Sequence, residues 1–195
     1  SATCIACGLG KYSIVIRSIS ATNCIDCAAG TYIDITGSDQ STDCIACSAG
    51  TFAGSPGNTA SSDCTDCVAG QYAEDTGSAE CQQCSQGKYS ATVASVSASN
   101  CIDCPAGTWL GAEGNDQLTD CIECAAGKWL NEAGRTAESA CADCTLGQYQ
   151  SATGQTSCIN CAVGQFTSAA TASLTACDLC PSGRYQDSLG QTGCI

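Results

Sequence analysis

Histidine is missing from this chain altogether, and basic residues are scarce: six Lys and Arg face nineteen Asp and Glu, for a net charge of −13. With no cationic patch to neutralise phosphates, nucleic acid is not an expected partner. No Ser/Asp constellation stands apart from the repeating pattern either, so the chain is read as not an enzyme, with no cofactor and no metal. No apolar run approaches the roughly 18 residues of a membrane helix, and no membrane span is expected in this stretch. No Asn-x-Ser/Thr triplet occurs, which argues against N-glycans. Leu, Ile, Val and Phe supply only 27 of the 195 residues, too little apolar area to offset chain entropy by burial alone. Something covalent or metallic must hold the fold.

What the chain has in quantity is cysteine, 21 residues of it, the mark of a disulfide scaffold or a metal-binding array. Cys-x-x-Cys pairs begin at Cys4, Cys24, Cys44, Cys64, Cys81, Cys101, Cys121, Cys141, Cys158 and Cys177, and a lone Cys194 closes the series. They divide the chain into ten modules of 20, 20, 20, 17, 20, 20, 20, 17, 19 and 17 residues. An internal repeat of this length defines the architecture before any single element does. The chain opens in the middle of its pattern at Cys4 and shows no signal peptide, so it reads as a mature piece of something longer.

Every module continues Cys-x-x-Cys-x-x-Gly-x-aromatic, and the ten rings that fill the last position, from Tyr12 and Tyr32 to Phe166 and Tyr185, are all the aromatics the chain possesses. None remains for a cofactor stack or a separate core. A second glycine follows the ring by five residues in seven modules, as at Gly37, Gly57 and Gly77, where a hairpin turn calls for positive φ. Each module is therefore expected to be a β-hairpin: a short strand opening with the aromatic, a turn, and a return strand ending at the next cysteine. The extra residues of the longer modules fall on the return limb. The expected fold class is small disulfide-rich β repeats, an elongated rod of ten tandem hairpin modules with little or no helix. Each ring is expected to pack over the disulfide of its own module.

Three modules break the turn rule. They carry Arg17, Ala94 and Thr171, spaced 77 residues apart. This longer period recurs in sequence, since residues 10–23 read GKYSIVIRSISATN and residues 87–100 read GKYSATVASVSASN. The chain thus divides into a four-module block at 4–80, a second at 81–157 and a partial third at 158–195. In each block one turn is replaced by a Ser/Thr and β-branched stretch, at 13–20, 90–97 and 167–174. A long strand with a free edge there would be a template for pairing, which makes Ile14, Ile16, Val93, Val96 and Leu174 candidate assembly contacts.

The cysteines admit three readings. Two Cys-x-x-Cys pairs 16 residues apart fit a four-thiolate zinc site, and ten pairs would make five of them. Yet every internal pair has equivalent neighbours on both sides, so nothing selects partners. A dithiol redox centre is conceivable for one pair, not for ten in tandem without a βαβ pattern. Disulfides fit the parity if the second cysteine of each module bonds the first of the next. The pairs would be Cys7–Cys24, Cys27–Cys44, Cys47–Cys64, Cys67–Cys81, Cys84–Cys101, Cys104–Cys121, Cys124–Cys141, Cys144–Cys158, Cys161–Cys177 and Cys180–Cys194. Cys4 remains unpaired or is linked outside this stretch. Sequence alone does not fix connectivity. Each such loop would contribute roughly 3 kcal/mol in the chain-entropy picture.

Cys-x-x-Cys-x-x-Gly-x-aromatic with a downstream cysteine resembles the ephrin-receptor-like cysteine-rich repeat, of the growth-factor-receptor cysteine-rich group and similar to part of the TNF-receptor module. The resemblance spans residues 4–195 and implies secretion, a β-hairpin module and the disulfide pairing above. A proline after the second cysteine, frequent in that family, occurs here only as Pro105 and Pro181. Long arrays of such repeats also resemble extracellular fibre and flagellar-hair proteins of protists and algae.

The expected function is an extracellular structural protein, secreted or on a cell surface or appendage, that self-associates into a homopolymer forming a filament, stalk or coat. The alternative is a spacer or ligand-binding receptor ectodomain. Glycans on Ser or Thr are a further expected partner, these residues numbering 43. The carboxylates Asp26, Asp66, Asp103, Glu123 and Asp143 recur with the module and read as surface positions rather than a calcium site. Lys11, Lys88 and Lys128 read as solvated.

Overall fold

The computed structural model describes residues 4–167 and 174–195. Among them stand nine two-stranded antiparallel hairpins in tandem, and the only helical elements are three-residue 3-10 turns. The chain is a series of small disulfide-rich β repeats, as its spacing predicts.

Each hairpin pairs the residue before the aromatic, and the aromatic itself, with the two residues inside the next Cys-x-x-Cys. In the first, Lys11 faces Asp26 and Tyr12 faces Ile25. In the sixth, Thr108 faces Glu123 and Trp109 faces Ile122. The return strand therefore starts after the next cysteine, where the sequence pattern suggested that it ends. The residues in between do not stay in the hairpin. They swing back over the preceding module, where the turn residue donates its N–H to a cysteine carbonyl, Gly37 to Cys7 at 2.9 Å and Gly57 to Cys27 at 2.8 Å. The following carbonyl accepts from the residue after the preceding ring, as Asn58 does from Ile33 at 3.1 Å. Isolated parallel bridges such as Tyr32 to Asn58 result. The open edge of one hairpin is thus covered by the turn of the next, which occupies backbone groups that would otherwise template foreign pairing.

The three extra residues of the longer modules form one 3-10 turn just ahead of the cysteine, as at Ala21–Asn23, Ser41–Asp43 and Leu118–Asp120. They lie on the return limb, as expected. In the last module the Cys180–Cys194 bond and a reciprocal backbone pair between Tyr185 and Ile195 close the loop, without an assigned strand.

Two units are distinguishable: Ser1–Cys84 with Ser90–Cys101 and Gly114–Asp116, and Ser85–Tyr89 with Ile102–Glu113 and Gln117–Ile195. In each, the core is built from buried half-cystines and a further buried side chain in most modules. The residue after the aromatic is buried in nine modules, with exposures of 0 to 5 %: Ile33, Ala53, Ala73 and Ser90 in the first unit, Leu110, Leu130, Gln150, Thr167 and Gln186 in the second. Gln150 is satisfied there by donating to the Ser157 carbonyl at 2.9 Å and accepting from Ala152 N–H at 3.2 Å, as a buried amide requires.

In the second unit Tyr89 packs on a cluster of Cys104, Leu110 and Cys121, and Trp109 on Cys124, Leu130 and Cys141. The ring rests on the disulfide of the next module, where that of its own was expected. Strand alternation explains the shift. Tyr89 pairs with Ile102, so Cys104 emerges on the ring's face and Cys101 on the opposite one.

Candidate functional site: module joints and exposed turns

Ten disulfides join the second cysteine of each module to the first of the next, from Cys7–Cys24 to Cys180–Cys194, with Cα separations of 5.6 to 5.8 Å. Among the described residues Cys4 is the free thiol, and it is exposed. With the other twenty consumed as cystine, neither paired zinc thiolates nor a dithiol centre can be built from them. Among the described residues no group of three His, Cys, Asp or Glu side chains converges on a metal position.

The joints are close backbone contacts. In seven modules the first glycine meets the turn carbonyl two modules on. A Cβ on Gly30 would lie 1.9 Å from the Gly77 oxygen, and one on Gly50 would lie 2.4 Å from the Ala94 oxygen. Both glycines also have φ above +80°, so closeness and conformation each demand glycine there.

The turn is more permissive. Arg17 and Ala94 hold φ of 56° and 53°, the left-handed region that costs an L-residue roughly 1–2 kcal/mol. No strand forms at 13–20 or 90–97, apart from a single bridge at Ser95. The long edge strand expected there is replaced by a tight turn, because the backbone must still dock on the preceding module: Ala94 N–H reaches the Cys67 carbonyl at 2.8 Å. Next to each turn a buried serine accepts from an asparagine, Ser18 from Asn23 at 2.9 Å and Ser95 from Asn100 at 2.8 Å.

This docking turns the apolar flanks outward. Ile14 and Ile16 are 69 % and 89 % exposed, Val93 and Val96 56 % and 53 %. Leu174 differs, being buried and accepting Gln150 N–H at 2.9 Å. It takes the place that Ser18 and Ser95 take in their modules. Thr171 lies outside the described residues. A shallow hollow of about 300 Å³ adjoins the first turn, lined among others by Cys4, Ile5, Ile14, Ile16 and Arg17.

The hairpins' other face is polar. Lys11 pairs with Asp26, while Lys88 reaches Asp103 and Lys128 reaches Asp143, each at 2.7 Å. The lysines read as solvated are therefore cross-strand partners of the recurring carboxylates, exposed enough to contribute ~0–1 kcal/mol each. Glu123 accepts instead from the Thr153 hydroxyl. In the 3-10 limb, Asp63 accepts from Thr59 and Ala60 N–H at 2.7 and 3.1 Å, which holds its carboxyl below the usual aspartate range.

Geometry defines the class: a tandem β-hairpin repeat protein stapled by disulfides between neighbouring modules. A family model described as tyrosine-protein kinase ephrin type A/B receptor-like matches residues 1–44, 18–64, 54–101 and 132–173. The chain belongs to this ephrin-receptor-like family. No curated protein matches it. Among the described residues no helix is long and apolar enough to cross a membrane.

Proposed function

We propose that this chain is an extracellular structural protein whose copies associate into a filament, stalk or surface coat, with the blocks 4–80, 81–157 and 158–195 as its repeating units. Ten cystines suit a compartment where thiols stay oxidised, and the repeat architecture is that of a non-catalytic module. The observation that carries the reading is the pair of glycine-free turns 77 residues apart, both left-handed, both presenting Ile or Val to solvent. Exposed aliphatic groups recurring at equivalent positions favour association with another copy over a single small ligand.

Replacing Ile14, Ile16, Val93 and Val96 with Lys tests this by sedimentation velocity and electron microscopy. Polymers should give way to monomers while all ten cystines persist, since exposed substitutions shift stability by only about 0.5 kcal/mol. Polymers unchanged in the variant would refute the assignment of these contacts. The family's description favours a second reading, a spacer or ligand-binding region of a cell-surface receptor. A wild-type chain that stays monomeric at every concentration would support that one.

A further inference from the structure

The residue two places before the cysteine that closes a module is Ser or Thr in nine of the ten modules, Ala79 being the exception. Six of these, Thr22, Thr42, Ser62, Ser99, Thr119 and Ser139, are the central residues of the 3-10 turns. The other three, Thr156, Thr175 and Thr192, sit in modules whose return limb lacks that turn. All nine are exposed.

Local structure does not account for the choice. Backbone preference would not hold one residue type across both kinds of limb. A shared capping bond is absent too. Thr22, Thr42, Ser99 and Thr119 touch only the side chain two residues earlier, at 2.7, 3.4, 3.0 and 3.4 Å. Ser62, Ser139, Thr156, Thr175 and Thr192 make no side-chain hydrogen bond among the described residues. Where the position two before is alanine, as at Ala60 and Ala137, the hydroxyl is still kept. What the nine share is exposure and a fixed distance along the chain from a cystine. They are hydroxyls aimed at solvent from an anchored limb.

We propose that these nine side chains are sites of O-glycosylation, one per module. The donor is a nucleoside-diphosphate sugar. The Ser or Thr Oγ bonds to the anomeric carbon, the bond from that carbon to the diphosphate breaks, and the nucleoside diphosphate leaves with the bonding pair. The hydroxyl proton passes to a base of the transferase. The assignment rests on the extracellular reading only in that the chain must meet such enzymes on its way out of the cell. It needs no filament. Because every site lies two residues from a cystine, the sugars would be displayed at the repeat of the modules, coating the return limbs and leaving the aliphatic turns bare.

The test is mass spectrometry of protein purified from the cells that make it, with electron-transfer fragmentation to place each sugar. Thr36 and Ser55 are the controls, hydroxyl residues that are also exposed but lie outside the register. Sugar is expected on the nine sites and not on the controls. Modification of only a minority of the nine, or equal modification of Thr36 and Ser55, overturns the proposal. The same sample, unreduced, reports location separately, because ten cystines take up about 20 Da on reduction. Bare hydroxyls with the cystines formed would sink the glycosylation sites alone. Bare hydroxyls with free thiols would sink the extracellular reading with them.

Discussion

The turn at Gly77 and the turn at Ala94 perform one task with different residues. Gly77 donates to the Cys47 carbonyl and Ala94 to the Cys67 carbonyl, both at 2.8 Å. Their φ values are 77° and 53°. One lies in the polar run EDTGSAE, the other in the aliphatic run ATVASVS. Docking is therefore set by the backbone bonds and by the glycine that receives the turn, Gly30 in one case and Gly50 in the other. The turn glycine can be exchanged for a strained alanine or arginine. The receiving glycine is kept in all ten modules, always at positive φ, and at seven of them, Gly30 and Gly50 included, a carbonyl also occupies the place of its missing Cβ.

The sharpest way to break this comparison is Gly30→Ala. The added Cβ meets the Gly77 carbonyl and the backbone must keep positive φ, so a loss on the order of 3 kcal/mol is expected at that joint from overpacking plus strain. Amide exchange at Gly30 and Cys47 would report it, since joints in a repeat array open locally. Gly183→Ala is the control, with φ of +86° but nothing within 4 Å, and should cost only about 1 kcal/mol. Equal losses at both would remove the carbonyl contact from the explanation.

A smaller effect of opposite sign should come from Ala94→Gly. Relief of the left-handed strain should stabilise its joint by about 1 kcal/mol, read from denaturant midpoints, while the docking bond to Cys67 survives. A destabilised variant would mean that Ala94 contributes packing beyond its backbone.

Much of this organisation is legible in the residues. Cysteine spacing and parity lead to the pairs that the disulfides form, the turn glycines do take positive φ, and the three extra residues sit on the return limb. The buried position after the ring is not legible, because Ile33, Ala53, Ser90, Leu130 and Gln150 share no chemistry. The site needs a side chain that fits between two modules, and each neighbourhood sets its own volume. The Lys11–Asp26 type of pair was equally hidden, since it follows from strand register, which a two-residue strand barely signals.

The smallest effect expected is acid sensitivity of one limb. Thr59 and Ala60 N–H groups favour the Asp63 carboxylate in the folded chain, lowering its pKa. Their contribution is therefore present above the ordinary aspartate range and is lost as pH falls through the lower, folded value. The equivalent limb at Glu138–Ala140 has alanine at that place. In an NMR titration the Ala60 amide should move over that acid window, and Asp63→Asn should abolish the movement, while the Ala137 amide has no such partner. Identical behaviour at the two limbs would dissociate the capping bond from Asp63.

By itself the sequence determined the repeat, the parity of its cysteines and the places where most modules turn, because cysteine and glycine impose constraints readable one residue at a time, whereas which cysteines pair is settled by the fold. Only the tertiary structure decided that the return strand begins after the cysteine, that Tyr89 and Trp109 rest on the next module's cystine, and that Leu174 is buried while Ile14 and Ile16 face solvent. Those outcomes depend on how one module lies on another. That arrangement is fixed by backbone hydrogen bonds, which every residue type can make and which no residue type announces.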